Sequence, residues 1–205
     1  MDLELLQQRA ASCTACELHK GRENPVFAKG NPNAKLMICG MVPADEENKV
    51  GLPFVGRAGQ LLDKILVDVG WTLDDVYITN LVKCYLAAGL PLNPSWVESC
   101  LPYLIVQIDL IRPKAILAVG KDASMALIGM DAKTPLGRVR GKVFPGMFDS
   151  KIIPTYHPSY LLRGGGENHK SYPLVIEDFL LAREILLDNR QEDDYSIDNG
   201  GQRHA

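Results

Sequence analysis

The sequence predicts an α/β protein, a three-layer αβα sandwich around a four-stranded, mainly parallel sheet. Three observations predict it. Four short apolar runs have the length and β-forming content of buried strands: "AKLMICG" (34–40), "VYITNLV" (76–82), "KAILAVG" (114–120) and "KIIPTYH" (151–157). Segments with helical spacing or helix-start signals separate them. The alternation of strand and helix recurs four times, which places parallel strands between covering helices.

Each element follows from local chemistry. Residues 2–11 read as a short helix leading into the first cysteines. The run 34–40 ends in Gly40, and "GRAGQLLDKILVDVG" follows it with Leu61, Leu62, Ile65, Leu66 and Val69 on one helical stripe, closed by Gly70. After the second strand, "NPSWVESCLPYLIVQIDLIRP" opens with Asn93 as N-cap and Pro94 at the first helical position. Pro102 is expected to kink or break that helix. The third strand runs into a short helix, "KDASMALIG", and Pro154 makes the fourth strand irregular or an edge. An amphipathic helix covers 171–187. There is no internal repeat, so residues 1–187 are expected to form a single domain. The acidic, polar tail 188–205 is expected to be disordered.

A chain of 205 residues can bury one substantial core. No apolar run reaches the length of a membrane span, and "MDLELLQQRA" lacks a signal peptide's basic and apolar regions, so a cytoplasmic protein is expected. The formal net charge is −3, and the tail from Asp188 alone holds five acids and two bases, which leaves the body neutral. Bases nevertheless cluster in "GRVRGK" (Arg138, Arg140, Lys142) and around Arg163 and Lys170, enough for one basic face. No Gly-rich phosphate loop follows the first strand, which argues against a small-molecule nucleotide enzyme.

In parallel sheets, ligands bind beyond the carboxyl ends of the strands. That rule selects Gly40 onward, Asn80, Gly120 and His157. A polar Asn80 inside "YITNLV" is costly unless it has a partner. His157 opens "HPSYLLR", where a histidine, a proline and a serine precede two leucines and an arginine.

Five cysteines occur, and a cytoplasmic chain does not favour disulfides. Cys39, inside "LMICG", reads as a small core residue. Cys13 and Cys16 form the close pair "CTAC"; Cys84 lies just past a strand and Cys100 within a helix. One CxxC with two isolated cysteines fits zinc less well than two paired motifs would, and four thiolates are also the ligand set of an iron–sulfur cluster. The spacing indicates a metal site without naming the metal.

The segments "CTACELHKGR", "GLPFVGRAGQLLDKIL", "YITNLVKC", "KAILAVG", "GRVRGKVF" and "TYHPSYLL", with the isolated Cys100, together resemble the iron–sulfur uracil-DNA glycosylases of the thermostable, family 4 type. The resemblance runs from about Leu5 to Arg163. It implies a [4Fe–4S] cluster on Cys13, Cys16, Cys84 and Cys100, structural in role. It implies a base excision repair enzyme that flips a deaminated base out of DNA and hydrolyses its N-glycosidic bond. Phe54 would stack on the base, Asn80 would read its imide edge, and His157 would stabilise charge on the departing base. In the loop after "HPS", Tyr160, Leu161, Leu162 and Arg163 would form a minor-groove wedge, with an apolar side chain filling the gap and the cation meeting phosphate. Ser159 would be a further DNA contact, and Arg138 and Arg140 would lie on the same face. No Lys nucleophile is needed, and the strand should stay uncut.

One motif departs from the pattern. The family's "GE-x-PG" is here "GMVPAD", with Met41 for the acid and Ala44 for the second glycine. This is closer to the "GLAPA" of the family 5 branch, which accepts other deaminated bases. Main-chain N–H groups at Met41 and Val42 could still contact the base. Glu47 stands where the family carries an acid and is the candidate third catalytic group, whereas Asp45 and Glu46 read as solvated. The leading expectation is a monomeric uracil-DNA glycosylase acting on DNA that contains deaminated bases. The alternative is a catalytically weak or inactive iron–sulfur DNA-binding protein on the same scaffold.

Overall fold

The structure is a computed structural model, and it describes residues 1–188. The disordered tail expected over 188–205 therefore lies, from residue 189 onward, outside the described residues. Strands β1 (Ala28–Gly30), β2 (Leu36–Gly40), β3 (Val76–Asn80), β4 (Ala115–Val119), β5 (Phe144–Pro145) and β6 (Lys151–Thr155) form one sheet, ordered β1-β3-β2-β4-β6-β5. The four central strands are the four expected ones, and they pair in parallel. The six-stranded count corrects the expected four: two short antiparallel strands close the edges, β1 on β3 and β5 on β6.

Helices α1 (Leu3–Ala11), α2 (Asp45–Val50), α3 (Arg57–Asp68), α4 (Pro94–Ile111), α5 (Lys121–Ile128), α6 (Pro158–Leu162) and α7 (Tyr172–Leu187) complete the chain. Side chains alternate across each strand. Leu36, Ile38, Val76, Ile78 and Leu117 pack with Leu62, Ile65 and Phe179 of α3 and α7. Met37, Cys39, Tyr77, Ile116 and Ala118 pack with Leu104, Ile108 and Ile111 of α4 on the opposite face. Burial on both faces is why these strands appear as unbroken apolar runs.

Asn93 caps α4 by accepting the Ser95 N–H at 3.0 Å, with Pro94 at the first helical position. α4 is not broken at Pro102 and continues through it to Ile111. Pro154 sits inside β6, which is not an edge strand. Its carbonyl accepts the Gly141 N–H at 3.1 Å, on the side away from β4. Its ring nitrogen faces that same side, beyond the end of the two-residue β5, so no ladder bond is lost. At the end of α3, Gly70 adopts φ +73° and lets Trp71 N–H return to the Leu66 carbonyl at 2.8 Å.

Candidate active site and four-cysteine site

One pocket opens at the carboxyl ends of the central strands, lined by Val42, Ala44, Glu47, Phe54, Ala58, Asn80 and His157. Its position follows from topology: the loop after β2, the last residue of β3 and the residues after β6 converge there. Asn80 pairs in register with Gly40 and is 3% exposed. Gly40 leaves room at this spot for the Asn80 and Phe54 side chains. A Cβ on it would lie 2.3 Å from Asn80 Oδ1 and 2.7 Å from the Phe54 ring. The Asn80 side-chain amide has no hydrogen-bond partner among the described residues, which leaves it available to a ligand.

His157 is the N-cap of α6, and its Nδ1 accepts the Ser159 N–H at 3.1 Å. A ring nitrogen that accepts carries no proton, so in the neutral ring the proton resides on Nε2. Burial, reinforced by the nearby Arg163, pushes the His157 pKa down to about 4. The group facing the pocket is a neutral imidazole with one N–H to give. Its ring lies 5.8 Å from that of Phe54 and 26° from parallel, so the two rings form one wall.

Phe54 is held in place by several neighbours. Its φ is +52°, a left-handed conformation unusual for a bulky residue. Lys29 Nζ donates to its carbonyl at 2.8 Å, and Gly59 admits the loop because a Cβ there would meet the Phe54 carbonyl oxygen at 1.9 Å. Glu47 does the rest. Its Oε1 accepts the N–H groups of Val55 and Gly56, each at 3.0 Å, and its Oε2 accepts that of Ala44 at 3.2 Å. Glu47, the expected third catalytic group, lines the pocket as well as bonding to this loop. It is 7% exposed, and its carboxylate's backbone hydrogen bonds hold the loop that carries Phe54. Asp45 and Glu46 are exposed, as expected. Met41 is not among the lining residues, and its carbonyl accepts the Val82 N–H at 2.8 Å, whereas Val42 lines the pocket.

The expected DNA face divides in two. Arg138, Lys142 and Arg163 are exposed. Arg140 is not: its guanidinium binds both carboxylate oxygens of Asp178, with Nε to Oδ2 at 3.1 Å, and donates to the Leu174 carbonyl at 2.6 Å. Asp178 is fully buried, and its burial raises its pKa against the pull of Arg140. Arg140 therefore clamps its loop to α7 and is withdrawn from phosphate. Leu161, expected as part of a groove-filling wedge, is fully buried in the core, because α6 turns it inward toward α3. Leu162 is half-buried, and Ser159 and Tyr160 are part-exposed beside it. Tyr160 packs against Tyr156 at a tilt and meets the edge of His169, with Arg163 over its ring.

A second site is linked to the first by Lys83, which lines it and whose Nζ donates to the Asn80 carbonyl. Cys13, Cys16, Cys84 and Cys100 line one cavity together with His19, Arg22, Lys83 and Tyr103. Cys39 is elsewhere, fully buried between sheet and α4, where burial pushes its thiol up to about 12. Among the described residues no three His, Cys, Asp or Glu side chains converge on a single-ion site. One zinc would need sulfurs about 2.3 Å from a common point, whereas a multi-iron cluster holds its cysteines around a larger core. The donor set suits sulfur anions. Arg22 donates to Cys84 Sγ at 3.1 Å, and the Lys83 main-chain N–H donates to Cys100 Sγ at 3.3 Å. These residues fit a four-cysteine cluster. Lys83 itself is 2% exposed, and burial pushes its ammonium down to about 8, still protonated at neutral pH.

Lys29, Gly59, Arg22 and Lys83 were not singled out from sequence. Lys83 and Arg22 did carry a signal, since each stands within a few residues of a candidate metal ligand.

Comparison with known proteins agrees with this architecture. The profile of the uracil DNA glycosylase superfamily matches residues 27–180. The chain is 37% identical over 184 residues to a type-4 uracil-DNA glycosylase of Thermotoga maritima, covering 90% of this chain and 94% of that one. It is 41% identical over 169 residues to the type-4 enzyme of Pyrobaculum aerophilum, covering 80% and 86%. A type-5 uracil-DNA glycosylase of the same organism is 31% identical over 152 residues, 67% and 66% of the two chains.

Proposed function

The chain belongs to the type-4 uracil-DNA glycosylases of the uracil-DNA glycosylase superfamily, and from that premise we propose that it removes uracil from DNA by hydrolysing the N-glycosidic bond in the pocket beyond β2, β3 and β6. The observation that carries this reading is the neutral His157, its Nε2–H left free by Ser159, beside the unpartnered amide of Asn80.

The chemistry follows from those two groups. The base must leave the duplex to enter the pocket. Asn80 can donate to one uracil carbonyl and accept from the ring N–H, and cytosine lacks that pairing. As the glycosidic bond breaks, negative charge spreads onto the uracil oxygens, and the His157 N–H stabilises it. A preorganised donor of this type contributes about 10²–10³ in rate. A neutral histidine donates without giving up its proton, so the base departs as a stabilised anion and water completes the hydrolysis at the sugar. Phe54 supplies the apolar wall, and Glu47 and Lys29 hold its loop.

Arg138, Lys142 and Arg163 are the phosphate contacts of this reading, and Leu162 replaces Leu161 as the apolar side chain nearest the duplex. Cys13, Cys16, Cys84 and Cys100 would hold a [4Fe–4S] cluster. When bound, it supplies a crosslink between the N-terminal segment, the end of β3 and α4. In this reading the protein is a monomer acting on DNA that contains uracil or another deaminated base; Met41, outside the pocket lining, supplies no carboxylate to the reaction.

The test is excision from oligonucleotides containing uracil, hypoxanthine or xanthine, with alkali used to reveal abasic sites. Uracil excision without strand scission before alkali supports the reading. Binding with no excision of any of the three bases would favour a DNA-binding protein on this scaffold.

A further inference from the structure

Lys83 lies between the two sites. Its Nζ donates to Thr79 Oγ1 at 2.8 Å, to the main-chain carbonyl of Asn80 at 2.5 Å and to Gln107 Oε1 at 2.6 Å. All three acceptors are neutral, and no carboxylate among the described residues pairs with it. Neutral oxygens orient an ammonium but do not compensate its charge. A cation taken out of water is costly unless an opposite charge is near.

The same residue lines the four-cysteine cavity and gives its main-chain N–H to Cys100 Sγ. Four thiolates outweigh the positive charge of an iron–sulfur core, so the loaded site is net anionic. Arg22 meets that charge from the rim, while Lys83 meets it from inside the fold. We infer that Lys83 is a positioning residue that couples the two sites: the anionic cluster stabilises its buried ammonium, and the ammonium holds the Asn80 backbone so that the amide is set for the base. This rests on the cluster reading above. Because such coupling is reciprocal, cluster retention and the order of Asn80 support each other.

The test uses holoprotein prepared without oxygen, wild type and Lys83→Met. Six quantities are read: iron per chain, the rate at which EDTA strips the cluster, the cluster's reduction potential, hydrogen exchange of amides 80–82, the single-turnover rate on uracil DNA and the affinity for DNA. Lys83→Met should shift the potential negative, because a cation beside the cluster is gone. It should lose the cluster roughly tenfold faster, a coupling of ordinary size. It should also lose protection at 80–82, and its single-turnover rate on uracil DNA should fall with little change in DNA affinity. Gln107→Glu is the second variant and decides the matter if Lys83→Met does not fold. It sets a carboxylate against Nζ, so potential and cluster retention should fall while 80–82 stay protected. Iron-loaded wild type with both quantities unchanged in whichever variant folds overturns this inference alone. Wild-type protein that holds zinc or no metal overturns the cluster reading, and this inference with it.

Discussion

His157 Nδ1 accepts the N–H of Ser159, two residues on, at 3.1 Å. One hydrogen bond thus caps α6 and fixes which ring nitrogen carries the proton in the pocket. His157→Ala should lower single-turnover uracil excision about a hundred- to a thousandfold, the usual loss for one oxyanion donor. Iron content should be unchanged, and stability should fall only by the ordinary cost of a lost N-cap, about 1 kcal/mol. An active variant at wild-type rate would make the histidine a helix cap and nothing more.

The low pKa of His157 sets a pH dependence. The folded ring binds its proton near pH 4, whereas the unfolded ring binds it near about 6.5. Between those values the unfolded chain holds more protons, so stability falls as pH drops from about 6.5 toward 4 and is unaffected by this group above 6.5. Chemical denaturation of wild type and His157→Gln across pH 4–8 should show this decline shrinking in the variant. Single-turnover excision between pH 6.5 and 9 should carry no inflection from His157.

Gly40 faces Asn80 across β2 and β3. Gly40→Ala would place a methyl 2.3 Å from Asn80 Oδ1 and 2.7 Å from the Phe54 ring. The base-reading amide must then move. Excision should fall at least tenfold, in line with the sensitivity of rates to misplacement of about 1 Å, while a folded protein still binds DNA. Unchanged kinetics would show that the amide is not positioned by this contact.

Arg140 and Arg163 should separate cleanly. Arg140→Ala strips the partner from a fully buried carboxylate, Asp178, and should cost about 3–5 kcal/mol of stability, read by denaturant titration. Arg163→Ala should leave stability within about 0.5 kcal/mol and weaken DNA binding, with a shallower dependence on salt. The opposite assignment of effects would mean that Arg140 leaves Asp178 to meet phosphate.

Cys84→Ser or Cys100→Ser should abolish the visible absorbance of the anaerobically prepared protein and lower its thermal midpoint. Cys39→Ser should keep the absorbance, since Cys39 lies in the core against α4 and outside the four-cysteine cavity. Loss of iron in Cys39→Ser would redraw the ligand set.

The sequence by itself determined the four central strands, the stripe of α3, the cap of α4 and the places of Asn80 and His157. Each of these is written in residues adjacent along the chain: a strand buried on both faces is an apolar run, and a strand end is where that run stops. The separation of Cys39 from the other four cysteines was readable for the same reason. Only the tertiary structure decided the rest. β1 and β5 are three and two residues long, too short to show any period, and exist because a neighbouring strand offers them a ladder. Arg140 sits in a basic stretch of sequence, yet its partner Asp178 lies 38 residues away. Leu161 looked exposed beside an arginine until α6 turned it into the core. Glu47 and Lys83 carry charges whose roles depend on what surrounds them, which are loop N–H groups for one and neutral oxygens beside a cysteine cavity for the other. Periodicity records which face of an element is buried, whereas the partner of a charge is chosen by packing between elements distant in sequence.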